Sequence, residues 1–124
     1  VTDVAIAAIE KGIYSLIILN YANPDMVGHT GNMDATVQAL QAVDRCLGRL
    51  LEGIIRAGGT SIIIADHGNA EVMWDKQGNP WTAHTTNPVP FILVEGEGRK
   101  IPGHGTEVNL RGDGRLSDIA PTIL

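Results

Sequence analysis

The sequence predicts an α/β domain built on a mostly parallel sheet flanked by helices. Near-continuous apolar, β-branched runs at residues 13–21 (IYSLIILNY), 60–65 (TSIIIA) and 89–94 (VPFILV) have the composition of strands buried on both faces. Residues 33–57 instead repeat apolar side chains every three or four positions, the period of an amphipathic helix. The resulting order is helix, strand, helix, strand, loop, strand, helix, the alternation expected of a parallel layer with crossover helices.

Each element carries its own punctuation. Thr2 or Asp3 can cap a first short helix bearing Val4, Ile6 and Ile9, and Gly12 stops it. After the first strand comes the loop ANPDMVGHTGN, rich in Asn, Pro and Gly. In the long helix Val37, Leu40, Val43, Leu47, Leu50, Leu51, Ile54 and Ile55 form one stripe, with Asp34, Gln38, Asp44, Arg49 and Glu52 mostly off it. Gly58 and Gly59 end that helix. The second strand runs straight into Asp66-His67-Gly68-Asn69, and the turn-rich DKQGNPW lies beyond. Pro88 and Pro90 suit the entrance of the third strand. Residues 95–113 are expected to be irregular, with a short strand near 108–110. Ser117 or Asp118 caps a final helix that holds Pro121 in its first turn.

Composition narrows the class. With 44% hydrophobic and 19% charged residues the chain reads as globular, and residues 1–124 suffice for one small domain or for part of a larger one. A net charge of −5 and the lack of any basic block argue against nucleic acid as a partner. The longest apolar runs, 16–19 and 62–65, are far too short to cross a bilayer, and no secretory leader is expected. Cys46 is the single cysteine, so no internal disulfide forms and a reducing, cytoplasmic compartment is the expectation. Its helical surroundings, DRCLGRLL, make it an inert thiol. The chain begins at Val1 and its last helix stops on Ile123 and Leu124, which suggests an excerpt of a longer protein.

The chemistry concentrates in five residues: Asp25, His29, Asp66, His67 and His84. They sit in NPDMVGHTG, IADHGNAE and TAHTTNPVP, each beside a predicted strand. Taken singly, each has an ordinary explanation. Asp25 after Pro24 can form an Asx-turn, Asp66 can cap a helix, and His29 and His84 can be loop histidines. Together they are ligands of the kind that bind divalent cations, gathered where strands leave the core. Adjacent charges at the end of an apolar strand are costly unless paired or coordinated. Gly28 and Gly68 flank two of the histidines and allow close backbone approach. Mixed imidazole and carboxylate donors favour Zn²⁺, Mn²⁺ or Fe²⁺ over Ca²⁺, and without cysteine in the set a zinc-finger-like structural site is not expected. Five donors exceed one tetrahedral ion's needs and fall short of two full shells. That balance fits two metals with further ligands elsewhere, an arrangement common in phosphoryl transfer. The spacing therefore reads as a metal-dependent hydrolase or phosphotransferase. His104, in PGHGTE, reads as a surface loop residue, and Trp74 and Trp81 as packing around the DKQGNP turn.

Four segments in order, NYANPDMVGHTGN, ADHGNAE, AHTTNPVPF and GRLSDIAPT, resemble the consecutive motifs of the cofactor-independent phosphoglycerate mutases, a family of the alkaline-phosphatase-like superfamily. The resemblance covers most of this chain and the C-terminal part of the family's length. It implies that Asp25, His29 and His84 are protein ligands of one Mn²⁺, and that Asp66 and His67 are two ligands of a second. It also implies interconversion of 3- and 2-phosphoglycerate through a phosphoserine, in glycolysis and gluconeogenesis. Two ions serve the intact site; one or none is expected on these residues alone.

The family's nucleophilic serine and its substrate-binding domain have no counterpart here, so no catalytic residue is assigned. Ser15 and Ser61 begin predicted strands and Ser117 is a predicted cap. The isolated chain is expected to be inactive, with the missing N-terminal part as its natural partner and self-association through an exposed sheet edge. Two other readings compete. The parent can be a phosphopentomutase or metal-dependent phosphatase of the same superfamily, or the chain by itself a metal-binding structural module.

Overall fold

A computed structural model describes residues 1–96, 108 and 110–124. Its elements are α1 (Thr2–Lys11), α2 (Asn23–Gly28), α3 (Met33–Arg56), β1 (Thr60–Ile64), β2 (Phe91–Glu95), a 3-10 turn (Leu116–Asp118) and α4 (Ile119–Ile123). The class is α/β, as the sequence predicts. His104 and most of the segment expected near 108–110 lie outside the described residues.

α3 is the organising element, and its ends show why. The Asn32 side chain accepts from the Ala35 N–H at 3.0 Å, which satisfies one of the free donors of the first turn. At the other end Gly58 takes φ 66°, its N–H reaching the Ile55 carbonyl at 3.0 Å while the Gly59 N–H reaches Ile54 at 2.9 Å. Those two bonds form a Schellman motif and end the helix at the glycine pair. α1 and α2 both pack on α3, with Thr36 and Leu50 buried on it and Ala5 buried from α1. Asp3 of α1 pairs with Arg49 at 2.5 Å, and the Thr2 hydroxyl meets that of Tyr21 at 2.9 Å. Those engagements explain why neither Thr2 nor Asp3 caps α1: Val1 holds the cap position and no side-chain cap bond forms. Gly12 does stop α1, at φ 63°.

Three sequence expectations change. β1 and β2 pair antiparallel, Thr60 opposite Glu95 and Ile64 opposite Phe91, in place of the expected parallel layer. A parallel pair needs a crossover, usually helical, whereas the chain between these strands doubles back without a helix. Beyond Ile64 the excursion stays close to register: Gly68 bridges Thr85, Trp81 donates to the Met73 carbonyl at 2.9 Å, and Trp74 bridges Pro80. Asp75 closes the tip by accepting from the N–H groups of Gln77 and Asn79 at 2.9 and 2.8 Å. Met73, 4% exposed, is the buried plug of this excursion.

The expected strand at 13–21 forms no ladder among the described residues. Its Ile13, Tyr14, Leu16 and Ile18 are exposed, because β-branched composition makes a strand only where a neighbour supplies hydrogen bonds and cover. The expected loop after it, by contrast, contains α2. Pro24 sits in the first turn, where its missing N–H costs nothing, and Asp25 lies in the same turn, where a carboxylate is favoured. At the chain's end Asp118 accepts from the Arg115 N–H at 2.8 Å and so caps the 3-10 turn, while Pro121 falls in the first turn of α4 as expected. Among the described residues no helix is long and apolar enough to cross a membrane.

Candidate metal centre

The antiparallel return determines the site. Because Ile64 faces Phe91, the exit of β1 and the entrance of β2 share one end of the sheet, so Asp66-His67 and the stretch bearing His84 emerge together. α2 supplies the rest. Asp25 and His29 are four residues apart, and the His29 N–H donates to the Asp25 carbonyl at 3.1 Å, which stacks both side chains on one helical face. The spacing of four between an acid and a histidine, directly after Asn-Pro, was the sequence signal for that turn.

Three donor atoms converge. Asp25 Oδ1 lies 3.2 Å from His29 Nε2 and 3.1 Å from His84 Nε2, and the two Nε2 atoms are 3.1 Å apart. Among the described residues these three form a group able to hold a cation. Donors at those separations, each about 2.1 Å from one ion, subtend about 95–100° at it, between a tetrahedral and an octahedral shell. The residues therefore fit a divalent transition metal bound on one face with its other positions open. His29 Nδ1 lies 2.6 Å from the Thr82 carbonyl and must donate to it, which leaves the lone pair on Nε2. Asn69, 7% exposed, donates from Nδ2 to Asp25 Oδ1 at 3.0 Å and fixes the carboxylate.

Asp66 and His67 stand beside this triad without joining it. His67 Nε2 is 3.6 Å from Asp66 Oδ1 and 4.0 Å from Asp25 Oδ1, beyond hydrogen-bond length in both cases. Its ring stacks on His84 with centroids 3.7 Å apart, and its buried Nδ1 has no hydrogen-bond partner among the described residues. The Asp66 side chain is 78% exposed and looks outward over a cavity of about 370 Å³ lined by His67, Asn87 and Arg115 among others.

Residues that the motifs did not single out complete the site. Glu71 accepts from the Asn69 N–H at 2.6 Å, from Asn87 Nδ2 at 3.0 Å and from the Thr85 hydroxyl. The Thr85 hydroxyl bond, foremost, holds the Glu71 carboxyl below the usual carboxylate range. The two glycines also serve a purpose other than ligand approach: a β-carbon at Gly28 would overlap Asn69 Oδ1, and one at Gly68 would overlap Thr85 and Glu71. Their small size seats the side chains that hold the donors. Each of Asn69, Glu71, Thr85 and Asn87 resembles an ordinary turn residue in sequence, and only their convergence distinguishes them.

Comparison with known proteins places this geometry. The model of the metalloenzyme superfamily matches residues 1–124, and the chain belongs to that superfamily. Over its whole length it is 77% identical to the 2,3-bisphosphoglycerate-independent phosphoglycerate mutase of Nostoc punctiforme and 76% identical to that of Synechococcus elongatus. It spans 23% of the length of each. Among solved structures it resembles Leishmania mexicana phosphoglycerate mutase at low cobalt concentration, with TM-score 0.69 and 38% identity over 75% of this chain and 19% of that one. The resemblance carried by the four motifs is thus borne out, and the family together with the triad implies dependence on a metal.

Proposed function

We propose that this chain is the C-terminal metal-binding part of a phosphoglycerate mutase that interconverts 3- and 2-phosphoglycerate through a phosphoserine, with Mn²⁺ as its ion. The observation that carries the reading is the closed triangle of Asp25 Oδ1, His29 Nε2 and His84 Nε2, with edges of 3.1–3.2 Å, in a chain so similar to mutases. Asp25, His29 and His84 would hold one ion, and Asp66 with His67 would give two ligands of a second. A bound divalent cation supplies Lewis-acid polarisation of a phosphoryl oxygen and neutralises its charge. The chain's own contribution is placement. Asn69 orients the Asp25 carboxylate, the Thr82 carbonyl holds the His29 tautomer, and His67 packs flat on His84 so that its ring keeps one orientation.

No nucleophile is assigned within these residues. Ser61 is paired opposite Val94 in β1, Ser117 lies in the 3-10 turn, and Ser15 lies at a bend in the apolar run 13–21. The 124 residues alone are therefore expected to lack mutase activity. The test is conversion of 3-phosphoglycerate by the intact protein without added 2,3-bisphosphoglycerate, before and after chelation and Mn²⁺ return. Release of inorganic phosphate without isomerisation, or turnover of a pentose phosphate instead, would replace this reading with a phosphatase or phosphopentomutase.

A further inference from the structure

We propose that Glu71 is a positioning residue for the metal triad, a single carboxylate that keeps two of the three ligand-bearing segments in register. The proposal rests on the reading of Asp25, His29 and His84 as metal ligands. His84 is delivered by a stretch with no regular secondary structure and with its own side chain 48% exposed. Something must hold that stretch against the turn leaving β1. The backbone gives one bond, from the Thr85 N–H to the Gly68 carbonyl at 2.9 Å. Glu71 adds three side-chain bonds. Through Oε1 it takes the Thr85 hydroxyl, adjacent to His84, and Asn87 Nδ2 at 3.0 Å. Through Oε2 it takes the Asn69 N–H at 2.6 Å, and Asn69 in turn donates to Asp25. One carboxylate thus joins the residue beside His84 to the residue that orients Asp25, while touching neither ligand. Charge-assisted bonds of this kind are stronger and shorter than neutral ones, which suits a group that must fix a loop. Gly68 completes the fit, since a β-carbon there would collide with both Glu71 Oε1 and Thr85 Oγ1.

A merely structural staple would lower thermal stability and leave the metal affinity of the folded protein unchanged. A positioning role predicts loss of affinity as well. The experiment measures Mn²⁺ binding to the intact protein by calorimetry, alongside melting curves, for the parent, Glu71→Ala, Glu71→Gln and His84→Ala. Glu71→Ala is expected to weaken one Mn²⁺ site by up to about 10-fold. That is the low end of what removing a direct outer partner of a ligand does, because Glu71 acts one step further out, through Asn69 and Thr85. Glu71→Gln keeps an acceptor for Thr85 and loses the one for the Asn69 N–H, so it should fall between parent and Glu71→Ala. A folded Glu71→Ala with parental affinity overturns the proposal while His84→Ala, by weakening the same site, upholds the ligand assignment. If Glu71→Ala does not fold, parental affinity in Glu71→Gln overturns it equally. Parental affinity in His84→Ala overturns both the proposal and the ligand assignment beneath it.

Discussion

Asn69 donates from Nδ2 to Asp25 Oδ1 at 3.0 Å, across a contact too close to admit a β-carbon on Gly28. That bond links the turn leaving β1 to the short helix α2. It also divides the work of one oxygen atom. Oδ1 has two lone pairs; Asn69 takes one, and the other faces the two imidazole Nε2 atoms at 3.1 and 3.2 Å. The carboxylate is held without being consumed, which is what a ligand requires of its supporting partner.

Gly28→Ala should therefore damage the site through Asn69. The new methyl would displace the Asn69 side chain, and overpacking of this kind costs about 1–3 kcal/mol. Denaturant unfolding of the variant measures that cost. Adding Asn69→Ala in the Gly28→Ala background should return part of the stability, because the obstructing oxygen is gone. If the double variant is less stable than Gly28→Ala by the full cost of Asn69→Ala alone, the steric account fails.

Metal should stabilise the folded chain by an amount that grows with the logarithm of its concentration relative to Kd. An ion that binds only the folded state at one hundred times its Kd adds about 2.7 kcal/mol. Melting curves with Mn²⁺ and with chelator are expected to separate for the parent. They should coincide more nearly for His84→Ala, which removes one of the three donors and with it two edges of the triangle. Equal separation in the two proteins would show that the ion sits elsewhere.

How much of this was legible in the sequence depended on the kind of signal. α3 was readable because cap, stripe and Gly-Gly stop all agree, and its bounds, Met33–Arg56, fall within one residue of the expected end. The five metal-type residues were readable because side-chain chemistry does not depend on the fold. Their grouping followed from a turn of helix hidden in NPDMVGH, where Asn, Pro and Gly obscured a segment too short to show a period. Strand direction was not readable, since TSIII and FILVE have the same composition in either orientation. Asn69 and Glu71 fall inside the motif ADHGNAE, yet their roles were not readable, because nothing in a local window distinguishes a polar residue that serves a ligand from one that faces solvent.

Two carboxylates make stability fall in acid. The Thr85 hydroxyl bond holds Glu71 below the ordinary carboxylate range, and the Asn79 side-chain bond does the same for Asp75 at the excursion's tip. A folded pKa below the unfolded one favours the folded state above the unfolded value, and that benefit disappears as pH falls through the folded value. Glu71 is exposed and Asp75 half-buried at the surface, so solvent screening keeps each contribution small. Melting temperatures taken in chelator across the acidic carboxylate range should drop less steeply for Glu71→Gln and for Asp75→Ala than for the parent. A parental slope in both variants would remove these bonds as the cause.

The apolar run at 13–18 should make the 124 residues, studied alone, associate with one another. Ile18 is 86% exposed, Ile13 70%, Tyr14 58% and Leu16 54%, and no described strand pairs with this segment. A β-branched run that no described strand covers can pair with a second copy, and adjacent apolar side chains add the burial that drives it. A charge at the most exposed position opposes both effects, since pairing would desolvate it. Light scattering over a wide concentration range should show mass rising with concentration for the parent, and less so for Ile18→Lys. The substitution leaves the donor triangle untouched, so Mn²⁺ binding serves as the check that the variant is folded. A parent that stays monomeric throughout, or an Ile18→Lys variant that associates as strongly, would mean that this run is not the contact surface.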